Sequence, residues 1–349
     1  MSRPSLKVGG ELIEPGSRVS MELPVTALYT HAPVTIPVEV VHGRKPGPRL
    51  FVSAAIHGDE INGVEIIRRL LKLPALKRLR GALIAVPIVN VHGFMQHTRY
   101  LPDRRDLNRS FPGSDHGSLA ARVAHLFMEE IVRNCTHGID LHTAAVHREN
   151  LPQIRARLDD EETERLARAF GVPVVLNSDL RDGSLREVAA ELGIPMLLYE
   201  AGEALRFNEL AIRAGLHGIV SVMRELGMLP AVRKKRRERP GPVVARSSTW
   251  VRAPQSGILR ATVALGARVA KGDTLGVIAN PVGTREVNVE AGVSGIVIGR
   301  TNLPLVNEGE GLFHIARFSA PRKAEQAVEE FHEYTTEHWP APDDEPPIV

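Results

Sequence analysis

Leu50-Phe51-Val52-Ser53-Ala54-Ala55-Ile56-His57-Gly58-Asp59-Glu60 runs from an uncharged, mostly apolar stretch straight into an imidazole, a glycine and two carboxylates. The stretch from Arg49 to Ile56 follows the turn-rich His42-Gly43-Arg44-Lys45-Pro46-Gly47-Pro48 and reads as a buried strand. Val64, Ile67, Leu70 and Leu71 then recur at helical spacing, so a helix follows at once. His57 and Glu60, three positions apart where strand gives way to helix, can turn toward one point and hold a divalent metal. The competing reading is a capped helix start, which a His and a Glu beside a glycine often mark.

The same alternation extends outward. Val34 to Val41 reads as a strand that Pro37 assigns to a sheet edge, because proline cannot donate to a ladder. Gly81 to Val89 is a further apolar strand, and Ser118 to Arg133 is a helix with Leu119, Val123, Phe127 and Ile131 on one side. Gly138-Ile139-Asp140-Leu141-His142 reads as a short strand. Asp159 to Phe170, Val172 to Leu176, Ser184 to Leu192, Pro195 to Glu200 and Asn208 to Leu226 continue the series. Strand–helix alternation on this scale predicts an α/β fold, a mixed and mostly parallel sheet flanked by helices.

With 349 residues, the chain suits two domains. An apolar share of 43% and a charged share of 24% describe an ordinary globular protein and exclude a disordered one. The net charge of +3 is small, and much of the excess sits in Arg233-Lys234-Lys235-Arg236-Arg237-Glu238-Arg239. No aromatic residue interleaves that run, so it reads as a solvated linker and not a nucleic-acid surface. Cys135 is the one cysteine, which excludes an intramolecular disulfide and a cysteine-rich zinc site and fits a reducing cytosol. It reads as a buried, inert thiol. No segment has the pattern of a leader or the length of a membrane span, so a cytoplasmic protein without a membrane partner is expected.

The expected boundaries are an α/β domain at 1–230 that carries the His57–Glu60 pair, a basic Pro/Gly linker at 231–244, a small all-β barrel-like domain at 245–320 and a C-terminal helix and tail at 321–349. The β domain contains an approximate repeat. Ala253-Pro254-Gln255-Ser256-Gly257-Ile258 is answered by Ala291-Gly292-Val293-Ser294-Gly295-Ile296, and Val269-Ala270-Lys271-Gly272-Asp273-Thr274-Leu275 by Val306-Asn307-Glu308-Gly309-Glu310-Gly311-Leu312. This resembles the biotinyl and lipoyl carrier fold. The stretch joining the halves, Ala279-Asn280-Pro281-Val282-Gly283-Thr284, has no lysine, so the shape is expected without the attached cofactor. Lys323 to Tyr334 reads as a short amphipathic helix before a frayed, acidic, Pro-rich end.

A hydrolytic zinc site commonly has three protein ligands and an open position, so His57 and Glu60 need one more histidine. His142 ends a short strand on the same carboxyl edge of the sheet, where sites in open α/β sheets gather. A satisfied core histidine is the alternative there, and His137 and His147 are nearby competitors. Between the two lies Asp106-Leu107-Asn108-Arg109-Ser110-Phe111-Pro112-Gly113. Asn108 beside the guanidinium of Arg109 suits an anionic group, and Asp106 can orient a ligand histidine from behind. The apolar Met196-Leu197-Leu198-Tyr199 ends at Glu200, followed by Ala201-Gly202-Glu203. A carboxylate at such a strand end can activate a metal-bound water and pass its proton to a leaving amine.

These four motifs in this order resemble the succinylglutamate desuccinylase and aspartoacylase family of zinc carboxypeptidase-like enzymes, over about Val34 to Leu229. The resemblance implies one zinc ion per chain on His57, Glu60 and His142, with Asp106 supporting a ligand histidine. It further implies that Asn108 and Arg109 hold a substrate carboxylate, that Glu200 is base and then proton donor, and that Arg99 polarises the scissile carbonyl. The spacing from Arg99 to Asn108 is slightly longer than in the aspartoacylase branch, leaving Arg104 and Arg105 as alternatives. Aspartoacylases also read a second carboxylate with an arginine shortly before the catalytic glutamate. None lies within Leu192 to Tyr199, and Arg186 is the nearest upstream.

The expected activity is zinc-dependent hydrolysis of the amide in a small, anionic N-acyl amino acid or related compound. Carboxypeptidase action on a peptide or acidic tail uses the same groups and is the alternative. A carrier-like interaction protein is the non-enzymatic reading, against which the missing lysine counts. No nucleic-acid partner is expected, and a homo-oligomer is compatible with the sequence.

Overall fold

The computed structural model describes residues 4–178, 180–231 and 241–338. The basic run Arg233 to Arg239 and the acidic end lie outside them. The strands that position the site are β1 (Arg18–Ala27), β2 (Pro33–His42), β3 (Lys45–Ala54), β4 (Arg80–Val86), β5 (His137–Ala144), β6 (Arg148–Ala156), β7 (Val174–Asn177), β8 (Met196–Glu203), β9 (Ser247–Arg252), β10 (Gly295–Thr301) and β11 (Gly311–Arg317). Within a 13-stranded sheet they lie in the order β9-β11-β10-β6-β8-β5-β3-β4-β2-β1, with β7 on β6.

The centre of the sheet is parallel, because β4, β3, β5 and β8 are hydrogen-bonded neighbours running the same way. The helices that join them cover both faces: α1 (Asn62–Leu71), α2 (Val91–Met95), α3 (Leu119–Glu130), α4 (Glu161–Phe170), α5 (Leu185–Glu191) and α6 (Glu209–Glu225). Side-chain alternation along the strands divides the interior into two cores. Leu50, Val52, Ala54, Ile139 and Leu141 pack with α1, α4 and α6. Phe51, Ile84 and Val86 pack with α3 and α5. Ser118, Ser184 and Asn208, where the sequence places helix starts, accept hydrogen bonds as N-caps of α3, α5 and α6. Cys135 is buried, and burial pushes its thiol pKa well up.

Outside that centre most pairing is antiparallel, and two long strands of the α/β part of the sheet were not legible. β1 pairs with β2 along Arg18–Ala27, so β2 is flanked on both sides and the edge position expected from Pro37 is corrected. Proline is tolerated because the pairing with β4 starts only at Glu39, two residues beyond it. β6 is the second. It runs antiparallel to β8, and Asn150 and Glu149 pair in turn with Gly299 and Arg300 of β10.

Beyond the α/β core the chain is β-rich. Gly257–Ala261, Thr274–Ala279, Glu286–Glu290 and Leu305–Val306 form a separate four-stranded sheet, while β9, β10 and β11 extend the main one. Leu151, Val174 and Leu176 pack with Ile296, Ile298, Ala316 and Val328 across this seam. Val243 and Val244, at the end of the expected linker, pair in parallel with Val174 and Val175, so strand structure begins earlier than the linker reading placed it. The last helix, α7, spans Pro321–His338 and is longer at both ends than expected. Among the described residues no helix is long and apolar enough to cross a membrane.

Candidate active site

Three neighbouring parallel strands deliver the charged groups to one sheet edge. His57 follows β3, His142 lies near the end of β5, and Glu200 stands beside it on β8, where the two are register partners. His57, Glu60 and His142 are all buried, and one ligand atom from each falls within 4.8 Å of the others. The Glu60 carboxylate bridges the imidazoles, with Oε1 2.7 Å from His57 Nδ1 and Oε2 2.8 Å from His142 Nδ1. It also accepts the Thr143 backbone N–H at 3.1 Å. The helix-cap alternative does not hold, since the N-cap of α1 is Ile61 and makes no side-chain cap.

Each imidazole turns its other nitrogen to a carboxylate. His142 Nε2 lies 2.7 Å from Asp140 Oδ2, and His57 Nε2 lies 3.3 Å from Asp106 Oδ1. The first contact is a hydrogen bond; the second is an ion-pair contact, and Nε2 has no hydrogen-bond partner among the described residues. Ser53 in turn donates to Asp140 at 2.7 Å. Burial alone would lower both histidine pKa values, but Glu60 with Asp106 for His57, and Asp140 with Glu60 for His142, outweigh it and raise them. Burial would likewise raise Glu60 and Asp106, yet the facing imidazoles, with Arg99 for Asp106, hold both carboxyls well below their usual range. Three carboxylates around two buried imidazoles thus make a place for positive charge. Two Nδ1 atoms and a carboxylate on one point, each ring backed by an acid, fit a divalent metal.

His57, Glu60, Asp140 and His142 line a cavity of about 260 Å³ together with Arg99, Asn108, Arg109 and Glu200. Asp106 caps the short turn Leu107–Arg109 by accepting Asn108 N–H at 2.8 Å. Asn108 Oδ1 accepts from the Leu185 backbone at 3.0 Å, which leaves its amide nitrogen for a ligand. Arg99 reaches Asp106 Oδ2 at 2.9 Å and brings Nη1 within 3.4 Å of Glu60. Arg104 and Arg105 do not line the cavity, and Arg105 faces Asp103. His137 faces Glu162, and His147 is exposed with its backbone on Glu203, so neither competitor joins the site. Arg186 lines the cavity but is held on Ser178.

Sequence reasoning missed several neighbours. Asp140 was readable as an acid two positions before His142 on a strand, and therefore on the same face. Asn150 and Arg155 were not, because β6 was not. Asn150 donates to Glu200 Oε2 at 2.5 Å and Arg155 approaches it at 3.2 Å. Arg148, Arg181 and Trp250 also line the cavity, and Trp250 comes from β9 of the β-rich region.

A buried, acid-backed His-Glu-His cluster at the carboxyl edge of a helix-covered sheet defines a candidate metal-dependent hydrolase site. Residues 46–226 match the family model described as the succinylglutamate desuccinylase/aspartoacylase catalytic domain, and the chain belongs to that family. The N-alpha-acetyl-L-2,4-diaminobutyric acid deacetylase of Halomonas elongata is 28% identical over 302 residues, covering 81% of this chain and 86% of that one. A succinylglutamate desuccinylase of Pseudomonas aeruginosa is 29% identical over 141 residues, 38% of this chain and 42% of its own. Among solved structures, a succinylglutamate desuccinylase/aspartoacylase from Rhodobacter sphaeroides superposes with a TM-score of 0.78 at 24% identity, covering 87% of this chain and 96% of that one. The product-bound ectoine utilization protein of Ruegeria pomeroyi gives 0.78 at 24% identity, covering 90% and 99%. These two likenesses establish the fold.

Proposed function

We propose that the chain is a zinc-dependent amidohydrolase that removes the acyl group from a small, anionic N-acyl amino acid. The observation that carries this reading is the placement of Glu200 in one cavity with the buried His57–Glu60–His142 cluster. The relatives support it, since a deacetylase and desuccinylases of N-acyl amino acids are among them.

His57, Glu60 and His142 would hold one zinc ion. When bound, zinc lowers the pKa of a coordinated water toward neutrality and polarises a carbonyl. Glu200, kept in position by Asn150 and Arg155, takes the proton from the attacking water and returns it to the leaving amine. Arg99, fixed by Asp106 beside the ligands, provides positive charge where the carbonyl oxygen becomes negative. Asn108 and Arg109 receive the substrate carboxylate. The β-rich region, with its biotinyl/lipoyl-like repeat, acts as a cavity wall through Trp250 and not as a carrier. A space of about 260 Å³ suits a small substrate better than a peptide tail, which sets the carboxypeptidase reading second.

Metal analysis of the purified chain, with assays on a panel of N-acyl amino acids, tests the proposal. One zinc per chain and loss of hydrolysis in Glu200→Gln are expected. Protein without metal affinity, or a Glu200→Gln variant as active as the parent, overturns it.

A further inference from the structure

A second cavity opens at the opposite edge of the sheet, where the amidohydrolase reading gives it no role. It measures about 1120 Å³ and is walled by residues from the segments 16–18, 41–45, 71–80 and 227–230. β3 starts here at Lys45 and leads to His57 beyond its far end. At about 3.3 Å per residue, its ten residues put roughly 30 Å between this cavity and the active site.

Backbone hydrogen bonds tie the walls together. Gly16 N–H reaches His42 O at 2.6 Å, Gly43 N–H reaches Gly81 O at 2.9 Å and Arg80 N–H reaches Met228 O at 2.9 Å. Arg18 Nη1 donates at 2.9 Å to the carbonyl of Leu71, the last residue of α1. A Cβ on Gly43 would stand 2.1 Å from Leu79 O, so two walls meet with no room for a side chain. The space is therefore preformed by the fold.

Its charge has one sign. Seven cations and no Asp or Glu are among the described residues that line it, although the whole chain holds 44 Lys and Arg against 41 Asp and Glu. Arg18 is tied to Glu39. The side chains of Arg44, Lys72, Lys77, Arg78 and Arg80 make no hydrogen bond or ion pair with a described residue. Arg44 lies over Gly16, where a Cβ would come within 2.8 Å of its Cγ and Nε. Buried Val41, Leu76, Leu79 and Leu229 add apolar surface to the same space. Like charges around a concave, partly apolar space focus a positive field into it and draw in a polyanion. Linked phosphates match five cations better than a single carboxylate does, and guanidinium forks fit phosphate oxygens. The leucine surface calls for an organic body on the same molecule. No aromatic side chain is among the described lining residues to stack a strand of bases, so nucleic acid is the poorer fit.

We propose that this cavity binds a nucleoside polyphosphate, with the linked phosphates on Arg44, Lys72, Lys77, Arg78 and Arg80 and the nucleoside against the buried leucines. It shares no lining residue with the active-site cavity, so the site stands independently of the amidohydrolase reading.

Calorimetric titration of the full-length, zinc-loaded chain with ATP, at constant ionic strength, tests this. One ATP per chain should bind, about tenfold or more tightly than tripolyphosphate or AMP, and adenosine alone should give no measurable heat. Lys72→Ala with Lys77→Ala and Arg78→Ala should weaken ATP by about tenfold or more and leave the thermal transition in place, because all three side chains are exposed. Removing the same charge from the β-rich region, by Arg260→Ala with Lys271→Ala and Arg285→Ala, should change ATP affinity by no more than roughly twofold. The arginines of the active-site cavity offer ATP a competing place, which the first triple variant distinguishes. Absence of ATP binding, ATP binding unchanged in that variant, an equal loss in both triple variants, or tripolyphosphate binding as tightly as ATP overturns the proposal.

Discussion

His142 Nε2 lies 2.7 Å from Asp140 Oδ2, two residues back on the same strand, while its Nδ1 faces Glu60. The acid fixes the tautomer and ring orientation that a metal ligand needs and increases its basicity. Asp140→Asn keeps the shape and removes the charge. Metal affinity should fall about 10- to 100-fold in competition with a chromophoric chelator. An unchanged affinity would show that the ring is oriented by packing alone.

Arg155 and Asn150 act on Glu200 from β6. Arg155→Met preserves most of the stem and removes the ion pair, so kcat should drop by about 10- to 100-fold, a barrier increase of roughly 1.4–2.7 kcal/mol. Metal content should stay at the parent level. Arg155→Lys should recover part of the loss, because a point charge replaces some of the guanidinium's pull.

The centre of the fold and the candidate metal-binding cluster were legible because one physical pattern encodes both. Apolar runs such as Leu50 to Ile56 end where the chain must turn, and the turn exposes His57 and Glu60 at the edge where His142 and Glu200 also emerge. Ser118, Ser184 and Asn208 were legible as helix starts for the same local reason, a side-chain oxygen before a periodic segment. β6 was not. Arg148-Glu149-Asn150-Leu151-Pro152-Gln153-Ile154-Arg155 alternates poorly and contains a proline, and its pairing with β8 and β10 is set by residues distant in sequence. With it went Asn150, Arg155 and Arg148, and the role of Trp250. Tertiary pairing decided those positions, not local propensity.

Gly58 sits between His57 and Asp59 with no space for a side chain. A Cβ there would lie 2.0 Å from the Gly93 carbonyl carbon and 2.1 Å from Phe94 N, both backbone atoms of α2. Gly58→Ala must therefore displace α2 or the ligand loop. A loss of about 1–3 kcal/mol in chemical unfolding is expected. Metal affinity should weaken along with it, because His57 adjoins the displaced residue.

His314 should give the protein an acid-side stability slope. Burial, with Arg155 and Arg181 nearby, pushes its folded pKa down to about 3 against an ordinary 6.5. Below about pH 6.5 the unfolded chain takes up a proton that the folded chain refuses, so stability falls as pH drops toward 3, by up to ~1.4 kcal/mol per unit. His314→Phe preserves a ring against Trp250, on which His314 stacks, and removes the titration. Urea unfolding at pH 7.5 and pH 5 should show the parent losing about 1–2 kcal/mol more than the variant. Equal losses would mean that His314 does not titrate in this window.

The β-rich region is bonded to the α/β core, and removing it should cost the core its fold. Truncation after Leu229 leaves β6 without β10, exposing an edge of unpaired backbone groups beside the active site. It also uncovers Leu151, Val174 and Leu176, which are packed against Ile296, Ile298 and Val328. These side chains are at most 3% exposed in the intact chain, and burying each is worth about 1.5–3 kcal/mol. The loss is comparable to the whole stability of a typical domain, about 5–15 kcal/mol. The truncated chain should fail to give a cooperative thermal transition by circular dichroism, whereas truncation after His338 should retain one. A folded, zinc-binding fragment ending at Leu229 would show that the seam is dispensable.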